Sequence, residues 1–324
     1  MRNRTLTNEG ADTMRGMPRD DSIECVAVIV VMYKSESMLS EFVESLPSGF
    51  GTVPYKLIAV DNASPDGSAE LIRKLAPDAT VVETGRNGGY AAGINAGVEV
   101  AGKYTAILVV NSDVRLKPGC VPELMRQMRG SSGVGIVVPK LIDGHGRLIE
   151  SMRREPSVRH ALFDAILGAS LAGRIGRLGE AVTRTSAYDQ QQLTDWAEGS
   201  TQLISLECWL ACGGWDESFF LYSEETEFDL RARDRGYATL YVPTATAVHL
   251  EGGSGSSDWL WALQVVNRVF LFRLRNGAIR TPLFWVATML REGSRALLGH
   301  RRSRLAVRAL LHPNRFRASV VPKS

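Results

Sequence analysis

The alternation of apolar strands with helical segments between residues 23 and 113 is the feature that most constrains the fold. Buried strands are predicted in IECVAVIVVMY, YKLIAV, ATVVE and YTAILVV, and each of the first three is followed by a polar turn and a helical pattern. Strands that alternate with helices pair in parallel through right-handed crossovers. The segment therefore predicts a doubly wound, mostly parallel α/β sheet.

The carboxyl ends of these four strands all carry polar residues. In open α/β sheets, ligands bind outside the carboxyl ends of the strands. We therefore expect a single polar rim that holds a ligand. It is built from Tyr33-Lys34, Asp61-Asn62, Arg86-Asn87-Gly88-Gly89 and Asn111-Ser112-Asp113.

Two of these strand ends carry side chains suited to a nucleotide. Asp61 could accept hydrogen bonds from a nucleobase or a ribose hydroxyl, or it could anchor an Asx turn over the next three residues. Arg86 precedes two glycines and a helix, so a cation and free backbone N–H groups could meet an anion there. An exposed arginine beside an ordinary turn is the alternative interpretation.

Two further residues are suited to a metal ion. Asp113 offers a hard oxygen ligand at the end of the fourth strand, of the kind that Mg²⁺ or Mn²⁺ takes together with substrate phosphates. His249 ends the short apolar run ATAVH. Each residue also has an ordinary interpretation, a turn for Asp113 and a hydrogen-bonded structural histidine for His249.

The segment FFLYSEETEFDLRARDRG contains carboxylates behind a run of aromatic residues. Ser223 can cap a helix whose first turn holds Glu224, Glu225 and Glu227, where the helix dipole favours negative charge. Apolar neighbours would also raise the pKa of a carboxylate towards the working pH, as a general base requires.

Three other kinds of α/β enzyme site lack their sequence motifs. The first strand is not followed by the G-x-G-x-x-G of dinucleotide-binding domains, and no P-loop motif occurs. The glycine-rich GGSGS at 252–256 follows the only nearby histidine, which is the wrong order for an α/β-hydrolase. The four cysteines show no paired metal-ligand spacing, so we expect reduced thiols.

The two ends of the chain differ from its middle. Residues 1–22 are polar and without pattern, and we expect a disordered extension. From Arg268 to the end there are thirteen lysines and arginines and one acidic residue. A helix with Asp258 as N-cap and its end at Gly277 is predicted, and a second basic segment follows from Pro282 to about Leu311.

The basic, aromatic C-terminal segment suits an anionic membrane surface. Core packing or a homo-oligomer contact is the alternative, and no recognition motif supports nucleic-acid binding. The chain has no run of about 18 apolar residues and no signal-peptide pattern, so a cytoplasmic location is expected, at the inner face of the membrane if the C-terminal segment binds it.

Six motifs in order resemble the family 2 glycosyltransferases of GT-A fold, especially the bacterial rhamnosyltransferase-like branch. They are VVMYKSESML, VDNASPDGS, RNGGYAAGINAG, VVNSDVRLKPG, GGWDESFFLYSEETEFDLRARDRGY and VHLEGGS. The resemblance implies a GT-A domain over residues 23–256, followed by a basic amphipathic helical region over 257–324.

The resemblance also implies roles for individual residues. Asp113 matches the last Asp of the metal-binding D-x-D, and His249 a histidine that completes the metal site in some members. Glu225 matches the general base, and Glu224 and Trp196 are expected at the acceptor. The residues expected at the nucleotide sugar are Tyr33, Asp61, Asn62, Arg86, Asn87, Asn95, Asn111 and Ser112.

Two positions depart from the family pattern. Asn111 stands where the first Asp of D-x-D is expected, which lowers the negative charge at the metal. Glu225 stands where Asp is commoner, so its carboxylate extends one methylene further, and Glu224 remains a candidate base.

The function implied is inverting transfer of a sugar from a nucleoside diphosphate to a hydroxyl of a glycan or lipid-linked acceptor in cell-envelope polysaccharide synthesis, with Mg²⁺ or Mn²⁺. Rhamnose on dTDP or a hexose on UDP is the expected donor. A sugar-1-phosphate nucleotidyltransferase and a non-catalytic scaffold are the alternatives, although MYKSES lacks the glycine-rich basic loop of the former.

Overall fold

A computed structural model describes residues 25–250 and 257–318. The disordered extension predicted for residues 1–22 and the glycine-rich stretch 252–256 lie outside the described residues.

The first part of the chain alternates strands and helices as the sequence predicts. Its elements are β1 (Val26–Met32), α1 (Leu39–Phe50), β2 (Tyr55–Asp61), α2 (Ser68–Leu75), β3 (Thr80–Glu83), α3 (Tyr90–Glu99) and β4 (Ala106–Val110). The strands β3, β2, β1 and β4 lie side by side in this order, and all three pairings are parallel. The predicted doubly wound α/β architecture is confirmed.

The second part adds antiparallel strands to this sheet. Its elements are β5 (Val114–Leu116), α4 (Cys120–Gly130), β6 (Val134–Ile142), β7 (Leu148–Ile149), β8 (Met152–Arg153), α5 (Val158–Leu167), α6 (Ala169–Arg174), β9 (Gln192–Thr194), β10 (Trp196–Ala197), β11 (Thr201–Ser205), α7 (Leu206–Cys212), α8 (Glu224–Asp234) and β12 (Ala238–His249).

The complete strand order is β3-β2-β1-β4-β11-β6-β12-β5, with β7 paired to β6 and β9 to β12. Strand β11 is antiparallel to both β4 and β6, whereas β12 is parallel to β6 and antiparallel to β5. A separate two-stranded ribbon joins β8 and β10. The antiparallel β5–β12 pair brings the end of β12 beside the turn that follows β4.

The core lies on both faces of the sheet. Along β1, Val28 and Val30 belong to one apolar cluster with Phe42 of α1, while Ile29 belongs to a second cluster with Ile94 of α3. Successive strand residues point to opposite faces, so a strand covered on both sides must be apolar throughout. This explains the uninterrupted apolar run of β1.

The C-terminal part is helical, with α9 (Asp258–Leu297), α10 (Arg301–Leu311) and α11 (Pro313–Ala318). The N-cap of α9 is Ser257, whose hydroxyl accepts a hydrogen bond from the Leu260 N–H at 3.1 Å, so the predicted cap at Asp258 is wrong by one residue. Gly277 (φ 74°, ψ 174°) interrupts α9 where the first helix is predicted to end. None of the described helices is both long and apolar enough to span a bilayer.

Two of the aromatic residues of these helices, Phe272 and Phe284, pack internally. The rings of Phe272 and Phe284 stack with centroids 4.1 Å apart, and both side chains are buried. Exposed aliphatic side chains lie elsewhere on α9. They are Leu274, Ile279, Leu283, Val286, Leu290 and Leu297.

Candidate functional site

A cavity of about 600 Å³ opens at the carboxyl ends of β1, β2 and β4. Six of the residues predicted at the nucleotide sugar or the metal line it together. They are Tyr33, Asn62, Asn87, Asn111, Ser112 and Asp113. We call this space the first cavity. Its position follows from the parallel sheet, since the strand ends and the loops that leave them share one edge.

Asp61 forms the Asx turn that the sequence suggests. Its Oδ2 accepts a hydrogen bond from the Ser64 N–H at 3.2 Å, and the buried Oδ1 has no hydrogen-bond partner among the described residues. The neighbouring Asn62 donates from Nδ2 to the Gly89 carbonyl at 2.8 Å. Asp61 is not among the residues that line the first cavity, but its Oδ1 can still accept a hydrogen bond.

The glycine turn before α3 is organised differently from the predicted anion site. The Gly89 N–H donates to Asn87 Oδ1 at 3.1 Å and the Tyr90 N–H to the Phe220 carbonyl at 2.9 Å, so these two groups are not free for an anion. Gly89 has φ 94°, and a Cβ there would lie 2.3 Å from the Phe220 oxygen. The glycine thus permits close contact between two loops. Arg86 is exposed and does not line the cavity.

Asn95 lies on α3 and does not line the first cavity. Its Oδ1 accepts from the Trp215 N–H at 2.9 Å, and its Nδ2 donates to the Trp215 carbonyl at the same distance. The side chain therefore anchors the loop after α7, in place of the predicted contact with the nucleotide sugar.

Asp113 and His249 are neighbours, as the metal-site prediction requires. Val114 pairs with His249 in the β5–β12 ladder, and His249 Nε2 lies 3.4 Å from Asp113 Oδ1. On the other side of the ring, Nδ1 lies 3.0 Å from Glu198 Oε1. Burial alone would lower the pKa of His249, but the adjacent carboxylates of Asp113 and Glu198 raise it to about 10.

The donor chemistry of this pair fits a hard divalent cation. A carboxylate oxygen and an imidazole nitrogen suit Mn²⁺, and a site for Mg²⁺ or Mn²⁺ commonly takes its remaining ligands from phosphates and water. The described residues contain no group of three or more acidic, histidine or cysteine ligands arranged for a metal. Asn111 Oδ1 accepts from the Tyr90 hydroxyl at 2.6 Å. A metal held here would therefore depend on ligands from the substrate.

The turn that leads into α8 is strained. Tyr222 and Ser223 both have positive φ values, 68° and 79°, in a backbone region that residues other than glycine rarely adopt. Ser223 stands at the predicted N-cap position but makes no side-chain capping bond. Such a bond requires an extended backbone, and that of Ser223 is left-handed. The turn is held from α9, where Asn267 Nδ2 donates to the Leu221 and Tyr222 carbonyls at 3.0 and 3.2 Å.

The two glutamates that follow this turn have different environments. Glu224 is buried, its Oε2 has no hydrogen-bond partner in the described structure, and burial next to Glu225 raises its pKa well above the usual range. Glu225 is half-buried, and desolvation together with the charge of Glu198 raises its pKa to about 7. Of the two glutamates, Glu225 has the pKa that is better suited to proton exchange at neutral pH.

A second cavity of about 510 Å³ contains these glutamates. Five predicted residues line it, namely Asn111, Trp196, Glu224, Glu225 and His249. The first and second cavities share a wall that includes Tyr90, Asn111 and Leu221. The predicted nucleotide-sugar and acceptor residues thus occupy adjoining spaces.

Three residues at the site were not found by sequence reasoning. Tyr90 bridges to Asn111, Glu198 contacts His249, and Asn267 holds the strained turn. A polar residue within the apolar pattern of α9 was the only available signal for Asn267. Glu198 lies in a short connection between β10 and β11 that carries none of the six motifs.

The sequence is similar to that of known glycosyltransferases. The sequence profile of Glycosyl transferase family 2 matches residues 27–178. The N-acetylglucosaminyl-diphospho-decaprenol L-rhamnosyltransferase of Mycobacterium tuberculosis is 27% identical over 313 residues, covering 91% of this chain and 96% of that protein. The low-salt glycan biosynthesis hexosyltransferase Agl10 of Haloferax volcanii is 28% identical over 232 residues, covering 70% and 67%.

Solved structures show the same fold. The mannosyltransferase PcManGT from Pyrobaculum calidifontis, in complex with GDP-Man and Mn²⁺, superposes with a TM-score of 0.54 at 16% identity, covering 91% of this chain and 82% of that one. GalNAc-T7 with UDP, GalNAc and Mn²⁺ gives 0.55 at 16% identity, covering 78% and 48%. The predicted GT-A fold is confirmed.

Proposed function

We propose that this chain is an inverting glycosyltransferase that moves one sugar from a nucleoside diphosphate to a hydroxyl group, because residues 27–178 match the profile of Glycosyl transferase family 2. The observation that carries the proposal is the shared wall between the first cavity, which holds Asp113, and the second cavity, which holds Glu225. A donor and an acceptor in these spaces would meet at that wall.

The proposed donor is dTDP-rhamnose or a UDP-hexose in the first cavity. Tyr33 and Asn62 line the region for the nucleoside, with Asp61 behind it offering one unpaired carboxylate oxygen. Asn111 and Ser112 lie beside Asp113, where the diphosphate would end. Rhamnosyl transfer is favoured by the named activities of relatives from Mycobacterium tuberculosis and Escherichia coli.

Asp113 and His249 are the proposed ligands of Mg²⁺ or Mn²⁺. When bound, the cation would neutralise charge that grows on the departing diphosphate. Glu198 would keep the imidazole oriented with Nε2 towards Asp113, as outer carboxylates do for ligating histidines.

Glu225 is the proposed general base. It accepts the proton of the acceptor hydroxyl while that oxygen attacks the anomeric carbon, and the bond from this carbon to the diphosphate oxygen breaks. No bond forms between the sugar and the protein, so a single displacement inverts the anomeric configuration. Glu224 supports the acceptor side from its buried position.

The proposed acceptor is a lipid-linked glycan of the cell envelope, and the chain would work at the inner face of the membrane. The exposed aliphatic residues of α9 include Ile279, Leu283 and Leu290, each at least 58% exposed. Their spacing places them on one helix face. Arginines along α9 and α10 add attraction to anionic lipid head groups.

A panel of nucleotide sugars tested by thermal shift with Mn²⁺ would test the proposal. The true donor should raise the Tm with increasing concentration, because a ligand that binds only the folded protein stabilises it by mass action. Transfer to a lipid-linked acceptor should follow with the same donor. A chain that binds none of the donors and transfers no sugar would contradict the proposal and leave the scaffold hypothesis.

A further inference from the structure

A third cavity of about 220 Å³ adjoins the second one. The two cavities are both lined by Arg153, Trp196, Glu225, Trp261 and Gln264. The third cavity shares no lining residue with the first. The second and third cavities together therefore form a continuous space that extends from the proposed base on the side opposite to the donor.

Two arginines in this space are placed against indole rings. The Arg302 guanidinium lies 4.4 Å from the Trp261 ring centroid, and that of Arg153 lies 6.0 Å from the Trp196 centroid. Arg153 also donates to the Met152 carbonyl at 2.9 Å. Stacking and backbone bonds fix the direction of each guanidinium but do not neutralise its charge.

Neither of these arginines forms an ion pair within the described part of the chain. Arg268, which lines the third cavity, provides the contrast. It contacts Glu180 and lies 3.6 Å from Asp164, so its charge is compensated internally. Arg153 and Arg302 have no carboxylate within ion-pair distance, although both are half-buried, and the charge of Arg153 reaches Glu198 only at longer range.

Two of the three glutamates of the second cavity are unavailable as close partners for these arginines, and the third, Glu225, is the proposed base. Glu198 is paired with His249, and Glu224 is buried in surroundings that favour its neutral form. A half-buried cation that lacks a counter-charge is costly in a folded protein. An anionic ligand would supply that charge, and the planar guanidinium fork is well suited to phosphate oxygens.

We propose that Arg153 and Arg302 bind the phosphate groups of an anionic acceptor whose sugar lies between Trp196 and Trp261 with a hydroxyl towards Glu225. The inference rests on the proposed function and narrows it, because it makes the acceptor a sugar diphosphate ester and excludes a neutral glycan. Arg291, which also contacts Trp261 at 5.7 Å, borders the same space but is partly compensated by Glu292.

Direct binding tests the proposal without requiring sugar transfer. Geranyl diphosphate and geraniol would be titrated into the full chain without divalent metal, with tryptophan fluorescence as the readout. We expect the diphosphate to bind at least about tenfold more tightly than the alcohol, and Arg302→Gln and Arg153→Gln each to remove about tenfold of this affinity. Arg302→Lys should retain part of it.

Arg301→Gln is the matched control. Arg301 is adjacent in sequence, its side chain is 87% exposed, and it lies outside the second and third cavities. Its substitution should leave the affinity for geranyl diphosphate unchanged. Equal binding of the alcohol and the diphosphate, or wild-type affinity in both cavity variants, would overturn the proposal.

Two further measurements separate the possible sources of phosphate and the two proposals. Sedimentation with phosphatidylglycerol vesicles should be the same for Arg302→Gln and wild type; a parallel loss would assign this arginine to phospholipid head groups and refute the acceptor site. With a lipid-linked acceptor, the variants should raise the acceptor KM and leave the donor KM unchanged. If no nucleotide sugar binds or is transferred, the proposed function is refuted. The titration with geranyl diphosphate would still show whether Arg153 and Arg302 bind phosphate.

Discussion

Adjacent glutamates at the start of α8 illustrate how burial separates two chemically identical side chains. Both glutamates line the second cavity, but Glu224 is only 2% exposed, whereas Glu225 also lines the third cavity. A general base must reach the hydroxyl group from which it accepts a proton. Exposure to the cavities is therefore a better criterion for the base than proximity to aromatic residues. The structure therefore supports Glu225 as the base and a supporting role for Glu224.

Replacing Glu225 with Gln is expected to reduce kcat by about 10² to 10⁴, because the loss of a general base has an effect of this size. The donor should still bind, since Glu225 does not line the first cavity. Single-turnover kinetics and donor titration would measure the two effects. Wild-type turnover by this variant would exclude Glu225 as the base.

Glu224→Gln is the matched control at the neighbouring position. Glutamine resembles the neutral carboxyl group, so kcat should change much less than in Glu225→Gln. Because burial raises the pKa of Glu224, its proton favours the folded state, and stability is lost as pH rises above the ordinary pKa of glutamate. The variant should therefore show a Tm that declines less between pH 5 and about pH 8. A steeper decline would contradict this assignment.

The pH dependence of turnover should report Glu225. Its pKa is raised to about 7 by desolvation and by Glu198, and it is further surrounded by Glu224, Asp229 and Arg153. Because only the deprotonated form accepts a proton, kcat should fall about tenfold per pH unit below pH 7 and level off above it. A pH series at saturating donor and acceptor would measure this. A profile that is flat between pH 5.5 and 8 would contradict it.

At the scale of elements, α9 acts as a support for the catalytic turn. Asn267 is 1% exposed and donates two hydrogen bonds to the strained turn that precedes Glu224. Arg275 of the same helix pairs with Glu155 at 2.9 Å and with Asp234 at 3.0 Å. The helix thus ties the end of α8 and the segment before α5 to one scaffold.

Asn267→Leu should lower kcat about tenfold or more, because the turn loses both donors while its left-handed residues remain strained. The free energy of unfolding should fall by about 1–3 kcal/mol. Asn276→Leu is the control, since that side chain bonds only within α9, to the Phe272 carbonyl. Equal kcat values for both variants would show that the turn does not need this support.

Sequence reasoning predicted the elements better than their contacts. Apolar runs identify β1 to β4, and strand ends identify Asp113, because the periodicity of strands and the topology of parallel sheets are local or general properties. The contacts of Asn95 and the glycine turn were not predicted, because their partners, Trp215 and Phe220, approach from distant parts of the chain. No local pattern encodes such contacts.

At the scale of the whole molecule, the basic C-terminal region has two faces. One packs on the sheet domain and lines the second cavity through Trp261 and Gln264. The other carries the exposed aliphatic residues of α9, with Ile279 93% exposed. The division into a catalytic domain over 23–256 and a C-terminal region over 257–324 stays a prediction from the sequence. Residues from both parts of the chain line the second cavity.

Membrane binding should depend on the outer face of α9. The combined substitution of Ile279, Leu283 and Leu290 by Ser should reduce co-sedimentation with anionic vesicles at least about tenfold, because apolar burial and charge attraction act together at the interface. Leu193→Ser and Leu210→Ser, at two similarly exposed sites outside the C-terminal helices, are the controls. Unchanged sedimentation of the triple variant would exclude this face.

The β5–β12 pairing has a consequence for how the protein is made. Asp113 precedes most of the sheet's second part, whereas His249 ends its last described strand, so their contact closes a very long loop. Contacts of high sequence separation form slowly and late. A nascent chain still on the ribosome can complete β1 to β4, but the two proposed metal ligands meet only after β12 has emerged. The proposed metal site is thus among the last parts of the sheet to form during synthesis.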